Sequence, residues 1–375
     1  MKFVISKQEL NNLLNKLQNV VSAKPTIPIL SNILIEAIND EIILTATDLT
    51  VGMRCFTEAK ILEEGSTTLP ARRFAQLIRE LTANSLEITT NSNEITTIIA
   101  DSSQFKLHGV TKTEFPSLPD MTGATHFKVP QAALKDTLYR TAFAVSREDN
   151  RYVLTGVLMK VAQSLATFVG TDGKRLSRAL LPLNIENTVS GDYIIPLKAV
   201  DEILKNLGDD GDAVVYLMHD KIAVQANNLM IVSKLLSGEY PDVNRVIPEL
   251  PEKIIPLHRE ELMTLLRQVS LFTADTSHSV RFTLSDGELK LAANNMDIGE
   301  GRVSMPVNYQ GSKVDIAFNP NFFLEILRHS KKEVVTMGLI DSYNPAVLTD
   351  SETTTPGSPE SNPLFVIMPM RLNED

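Results

Sequence analysis

The residues with most promise of chemistry are Thr171-Asp172-Gly173-Lys174-Arg175-Leu176-Ser177-Arg178. An apolar run, Leu165 to Val169, leads into them, and another, Ala179 to Leu181, follows. A strand ending in a small, polar, basic turn suits a phosphate loop, where backbone N–H groups and a lysine surround an anion. Two aspartates echo Asp172: Asp48 lies 124 positions before it and Asp297 lies 125 after. Repeated carboxylates raise acid–base or metal-assisted chemistry. Three facts weigh against both readings. Gly173 is the lone glycine of the supposed loop. Each aspartate falls in a different stretch of chain, a domain away from the others. The six histidines (His108, His126, His219, His258, His278 and His329) show no metal-ligand spacing. Aspartate at such a turn accepts hydrogen bonds from backbone N–H groups a few residues on. The expectation is therefore a fold device, with no catalytic residue, cofactor or metal, and the chain is read as no enzyme.

The elements that hold these turns recur as well. Glu114-Phe115-Pro116 returns as Glu239-Tyr240-Pro241, 125 positions on. Pro70, Pro196 and Pro320 each open a helical pattern, and Phe3, Phe127 and Ile254 each begin a strand that leads into a helix. Apolar residues at i, i+3, i+4 and i+7 mark a first helix at Leu10, Leu13, Leu14, Leu17 and again at Leu262, Leu265, Leu266, Val269. The central copy is weaker, keeping only Leu134, Leu138 and Ala142. Second helices follow at Phe74, Leu77, Ile78, Leu81; at Val200, Ile203, Leu204, Leu207; and at Phe323, Ile326, Leu327. The fold class is α+β, with two helices packed on strand-rich sheet in three tandem copies. Boundaries are expected at 1–122, 123–250 and 251–375. The polar, proline-rich stretch Asp350 to Pro363 reads as a mobile loop. Leu364 to Ile367 beyond it reads as a terminal strand.

Composition excludes little beyond the exotic. The chain is 375 residues long, 43% apolar and 22% charged. It has no apolar run near the length of about 20 residues that spans a bilayer, no signal-peptide pattern, and one cysteine, Cys55. The cytoplasm is the expected compartment. Net charge is −10, yet the six expected helices, taken with their flanks, sum to +7 and leave −17 elsewhere. A basic helical surface facing a polyanion, with an acidic exterior, is the functional reading. No helix-turn-helix or zinc spacing suggests sequence-specific DNA reading.

Taken together, Met1-Lys2-Phe3, Lys24-Pro25-Thr26-Ile27-Pro28-Ile29-Leu30, Pro70-Ala71-Arg72-Arg73-Phe74, Thr171 to Leu176, Tyr240-Pro241-Asp242 and Val366-Ile367-Met368-Pro369-Met370-Arg371-Leu372 resemble the bacterial sliding clamp family, the beta subunit of DNA polymerase III. The resemblance runs from residue 1 to 372. It implies a head-to-tail homodimeric ring of six similar domains around duplex DNA, tethering a replicative polymerase, a clamp loader and repair proteins. Side-by-side packing is consistent with two chains. Six helices would leave a hole of only about 9 Å, whereas twelve leave about 28 Å. The resemblance implies non-specific phosphate contacts from Lys24, Arg72, Arg73, Lys135, Arg140, Arg151, Tyr152, Lys198 and Lys205. Glu148 and Val153 depart from the family pattern in that region. It places a partner-peptide pocket at Leu154, Thr171, Gly173, Lys174, Arg175, Leu176, Pro241, Arg245, Val246, Ile367, Met368, Pro369, Met370, Arg371 and Leu372, with Arg175 and Arg245 at the rim. Lys174 stands where the family usually has histidine. The acidic tail Asn373-Glu374-Asp375 is expected beside this pocket, competing with acidic partners. The dimer seam would join Arg73, Phe105 and Leu107 of one chain to Leu271, Phe272 and Glu300 of the other.

Overall fold

The structure is a computed structural model that describes every residue except 23–24, 149, 185–189, 249, 275–277, 351–354, 360 and 372–375. Among the described residues six helices alternate with strands: α1 (Lys7–Leu17), α2 (Ala71–Glu80), α3 (Gln131–Ala142), α4 (Leu197–Asn206), α5 (Arg259–Ser270) and α6 (Pro320–His329). The periodic leucines of α1 are all buried, and Ser6 caps its start by accepting a bond from Glu9 N–H, with Glu9 placed as in a capping box. Helices α5 and α6 begin on the side chains of His258 and Asn319.

The chain divides into two compact units. One comprises Met1–Lys135, Leu183–Glu186 and Lys198–Leu235; the other comprises Asp136–Pro182, Asn187–Leu197 and Leu236–Asp375. Sheet topology explains why. Each copy contributes two half-sheets. The first half is the opening strand plus the three strands that follow the second helix; the other lies between the two helices. In the first unit, the central copy's Thr125–Pro130, Asp212–Leu217, Lys221–Ala226 and Leu229–Lys234 join the first copy's Val51–Glu58, Glu41–Thr47, Asn32–Ile38 and Gly65–Pro70 in one eight-stranded sheet. In the second unit, Ser190–Pro196, Gly156–Ala162, Leu165–Thr171 and Arg175–Pro182 join the third copy's Leu364–Ile367, Ala346–Thr349, Val334–Leu339 and Lys253–His258 in another. The central copy is thus divided between the two.

Both joins use antiparallel pairing with one register. Phe127, Val215, Val224 and Ile231 form a cross-strand row that continues into Met53. Ile255, Met337, Leu348 and Phe365 form the equivalent row, which continues into Ser177. A third such row, Phe3, Ile88, Ile98 and Phe105, stops at Phe105. Its strand, Ser103–His108, is the edge of a five-stranded sheet and is exposed almost throughout. The other unit ends in a matching edge, the strand Gly299–Pro306 of a four-stranded sheet.

Two expected landmarks shift in the third copy. The residue matching Phe3 and Phe127 is Ile255, which is buried, whereas Ile254 faces out. Pro70 precedes α2, whereas Pro320 is inside the first turn of α6 and Asn319 takes the capping place. Described residues of the Asp350–Pro363 stretch are tied to the strand Arg175–Pro182; residues 351–354 and 360 lie outside the described residues. Asn362 pairs through its side chain with both the N–H and the carbonyl of Leu180 at 3.0 Å. Arg178 donates to the carbonyls of Ser358, Pro359 and Ser361, and Asp350 and Ser361 are buried.

Candidate functional site

The turn Thr171–Arg175 is built from its own side chains. Asp172 Oδ1 accepts from Lys174 N–H at 2.9 Å and Arg175 N–H at 3.0 Å. Thr171 Oγ1 accepts from Gly173 N–H and donates to the Arg175 carbonyl at 2.6 Å. Gly173 sits at φ +83°, and a Cβ there would meet the Arg151 guanidinium at 3.0 Å, so only glycine fits without strain. The first copy repeats the device: Asp48 Oδ1 accepts from Thr50 and Val51, and Thr47 bonds Leu49 N–H. Burial works against ionisation of Asp48, but bonds from Lys198 and these N–H groups outweigh it and hold the carboxyl below its usual range. In the third copy the acceptor is Asn295, which takes Asp297 N–H at 2.9 Å. Asp297 is therefore two residues past the equivalent position, and the aspartate triplet is a pair plus an asparagine. Among the described residues no three His, Cys, Asp or Glu side chains come together as metal ligands.

The second join carries a buried apolar cluster. Period-two alternation sorts its side chains. Leu176 and Val366, paired across the join, face one side with Leu154, Leu158, Val169, Ile194, Leu236, Tyr240, Val347 and Leu364. Val153, Val243 and Ile247 pack half-exposed against that cluster. Arg175 and Ile367, one residue over, face the opposite side. Ile367 is fully buried in the core beneath α5 and α6, apart from that cluster. Arg175 is also buried, and this corrects its expected place at the rim. Its guanidinium pairs with Asp172 and Glu325, donates to the Phe143 carbonyl at 3.0 Å, and lies over the rings of Phe143 and Phe322. It binds α6 and the end of α3 to the strand. Thr171 is buried as well.

The other expected pocket residues are accessible. Gly173, Lys174, Pro241, Arg245 and Arg371 are exposed, Met368 and Val246 are about two-fifths exposed, and Pro369 and Met370 are half-buried. Backbone bonds fix the terminal stretch: Met368 N–H donates to Lys174 O at 2.9 Å, and Met370 N–H to Ala317 O at 2.7 Å. Arg245 is exposed and pairs with Asp242 at 3.2 Å. Arg151 also reaches this turn, donating to the Asp172 carbonyl at 3.3 Å. Tyr240, Val347, Leu364 and Val366 belong to the same cluster and were not among the expected residues. Alternation along Leu364-Phe365-Val366-Ile367 was the available signal. Leu372 and residues 373–375 lie outside the described residues.

The basic residues divide sharply. Lys135 pairs with Asp209 at 2.9 Å, Lys205 with Glu202 at 2.8 Å and Lys198 with Asp48 at 2.5 Å. Arg140 is held by Asp136 and by buried Asp350, and its side chain is only 11% exposed. That enclosure removes it from the surface. Arg72 and Arg73 are exposed, as is Tyr152; Lys24 lies outside the described residues. Helix ends also fall short of the expected ones. The six helices carry twelve basic and eight acidic residues, a smaller excess than the flanked count, because Arg147, Lys331 and Lys332 lie beyond them.

Of the expected seam residues, Phe105 is 37% exposed and Leu107 half-buried on their edge strand, while Arg73 projects from α2. In the other unit Leu271 is 72% exposed, and Phe272 lies over Gly301 so closely that a Cβ there would be 2.5 Å from its ring. Glu300 pairs with Arg302 at 3.0 Å.

Three tandem copies of a two-helix, two-half-sheet unit, joined sheet to sheet, define the chain as a clamp-type protein. Comparisons agree along its whole length. Family models of the DNA polymerase III beta subunit match in order: N-terminal domain at residues 1–119, central domain at 128–242 and C-terminal domain at 244–371. A beta sliding clamp from Chlamydia pneumoniae is 52% identical over 375 residues, covering all of both chains. That of Escherichia coli K12 is 29% identical, covering 99% of this chain and all of the relative. Among solved structures, a DNA polymerase sliding clamp from Bacillus subtilis superposes with TM-score 0.94 at 26% identity, covering all of both chains. A DNA polymerase III beta subunit from Pseudomonas aeruginosa gives 0.93 at 28%, covering 99% and 100%. The chain belongs to the DNA polymerase III beta subunit family.

Proposed function

We propose that two copies of this chain close head to tail into a ring around duplex DNA and tether the replicative polymerase for processive synthesis. The protein is a processivity factor without a catalytic site. The observation that carries this reading is the pair of sheet joins within the chain. Each copy has one strand that ends a first half-sheet and one that ends a second. Two of three equivalent joins are made internally, and Ser103–His108 and Gly299–Pro306 are the ends left over. An unpaired edge is a template for another strand. A second copy supplies it in both directions, which closes the assembly.

The register follows from the internal joins. In the between-helix half-sheets, Leu69 and Ile33 lead to Met53, Ile195 and Val157 to Ser177, and Phe318 and Val280 to Gly301. Met53 and Ser177 face Ile231 and Phe365, so Gly301 faces Phe105 of the second copy. Lys106 then stands opposite Glu300, and Phe105 covers the bare Gly301 beside Phe272. Opposite charges and aromatic pairs at facing positions stabilise such a pair.

The expected pocket over the second join is the partner site. Its apolar cluster and adaptable methionines suit short apolar segments of a polymerase, clamp loader or repair protein. Basic helix faces contact phosphates without reading sequence. Domain boundaries are placed at 122/123 and 250/251. The described helices include none long and apolar enough to cross a membrane, and replication in the cytoplasm is the fitting location. Loading onto circular and linear duplex tests the ring: it should stay on circles and slide off linear ends, and equal retention would overturn the reading.

A further inference from the structure

We propose that Pro256 keeps the opening strand of the third copy, Lys253–His258, from pairing with the same strand of a second copy, and so confines assembly to the two seam strands. The inference rests on the ring reading and names the edge that the ring must leave unused. The three opening strands each stand at the end of a half-sheet and differ in what covers them. Lys2–Ser6 is covered by Lys60–Glu63, with Val4 opposite Lys60. Thr125–Pro130 ends its sheet and carries a bridge from Asn184 to Lys128. Both covers come from the link that runs into the strand before the second helix. In the third copy that link, 307–313, is engaged elsewhere: Val307 N–H donates to Gly287 O at 3.0 Å, and Gly287 N–H to Tyr309 O at 2.9 Å. Among the described residues no strand or bridge lies on the outer side of Lys253–His258.

Strand phase decides which groups that edge presents. Arg259 N–H donates to Glu333 O at 2.9 Å, and the ladder continues with Leu257 opposite Val335, Ile255 opposite Met337 and Lys253 opposite Leu339. Hydrogen-bonded pairs alternate along an antiparallel ladder. Lys253, Ile255 and Leu257 therefore bond inward, and Ile254, Pro256 and His258 turn their backbone groups outward. The middle one has no N–H. Its equivalents are Val4 and Lys128, because Ile255 matches Phe3 and Phe127. Those two keep their N–H and lie opposite Lys60 and Asn184. Of the three copies, proline stands in the one whose edge is open. Such an edge otherwise invites a partner strand: Ile254 is 45% exposed, and Ile254 and Ile255 favour extended chain. Two copies could meet antiparallel about a twofold axis at residue 256, with Ile254 facing His258 across the axis. The central pair would exchange two hydrogen bonds, and proline deletes both while its ring fills the space between them. That contact is separate from the seam and would string closed rings together.

The test is sedimentation velocity of the full chain and its Pro256→Thr variant across a wide range of concentration. The parent should stay at two chains. The variant should form species of four chains and more, whose share rises with concentration. Pro256→Ala, which also restores the N–H, should behave alike. Adding Ile254→Pro to Pro256→Thr removes a neighbouring outward N–H without touching a bond to Val334–Leu339, and should return the variant to two chains. A Pro256→Thr variant that stays at two chains, with or without a loss of stability, shows a local stiffening role only and overturns the proposal. Larger species that persist with Ile254→Pro overturn it too. So does loss of native circular dichroism in both the Thr and the Ala variants, which would make Pro256 a residue needed for folding. Failure of the ring reads differently: the parent would then run as single chains and Pro256→Thr as pairs, whereas failure of this proposal leaves parent and variant alike.

Discussion

At the scale of single residues, position in a two-residue period decides whether a side chain is site or strut. Leu176 and Arg175 are neighbours, yet one packs in the apolar cluster of the join and the other is buried on the opposite face against α6. The Arg175 guanidinium is buried against two phenyl rings and pairs with Asp172 and Glu325, and removing one partner of a buried pair is costly. Arg175→Met should lower unfolding stability by roughly 3 kcal/mol in urea titration, whereas Arg245→Met should leave it unchanged and weaken peptide binding instead. Asp48 shows the corresponding pH effect. Its carboxyl is held below the usual range, so its contribution is present above the unfolded value of 3.8 and is lost as pH falls through the folded value. Asp48→Asn should therefore flatten the acid limb of stability against pH below about 4 and leave the neutral limb parallel to that of the parent. A second inert group is Cys55, fully buried, with burial pushing its thiol up to about 12. Thiol reagents should modify it only after unfolding, which a timed colorimetric assay with and without denaturant would show.

At the scale of elements, the helices and the threefold order of the chain were legible because each helix repeats apolar residues at 3, 4 and 7. The pocket motif was legible because Thr171 to Leu176 and Met368 to Met370 are local stretches. Three kinds of information were not. Strand alternation had to be phased against a partner before Ile367 could be assigned to the core. Ion pairs that neutralise Lys135, Arg140 and Lys198 draw carboxylates from 74, 210 and 150 positions away, and counting charge along a helix misses them. The third copy's hairpin also carries one residue more than its relatives between matching rows, so spacing alone chose Asp297 where Asn295 does the work. The pocket belongs to this scale, because the apolar cluster beneath it lies at the join of two half-sheets. Val246→Asp or Met368→Asp should weaken a bound apolar peptide at least tenfold by putting a charge against that cluster, measured by anisotropy, while circular dichroism stays that of the parent.

At the scale of the whole molecule, an internal rule of assembly predicts the external one. The two joins made within the chain share a register, and the leftover edges obey it only with another copy. Reversing Lys106→Glu alone should weaken the dimer, and adding Glu300→Lys should restore most of the loss, read by sedimentation. The most direct measurement is cross-linking at that pair. Lys106→Cys with Glu300→Cys introduces facing thiols on a background where Cys55 is sealed. A short bifunctional thiol linker applied after loading onto circular duplex should give a covalent ring that stays on the DNA through detergent denaturation and is released when the circle is cut. Absence of cross-linking at this pair, or release from the intact circle in detergent, would contradict a closed ring formed through these two strands.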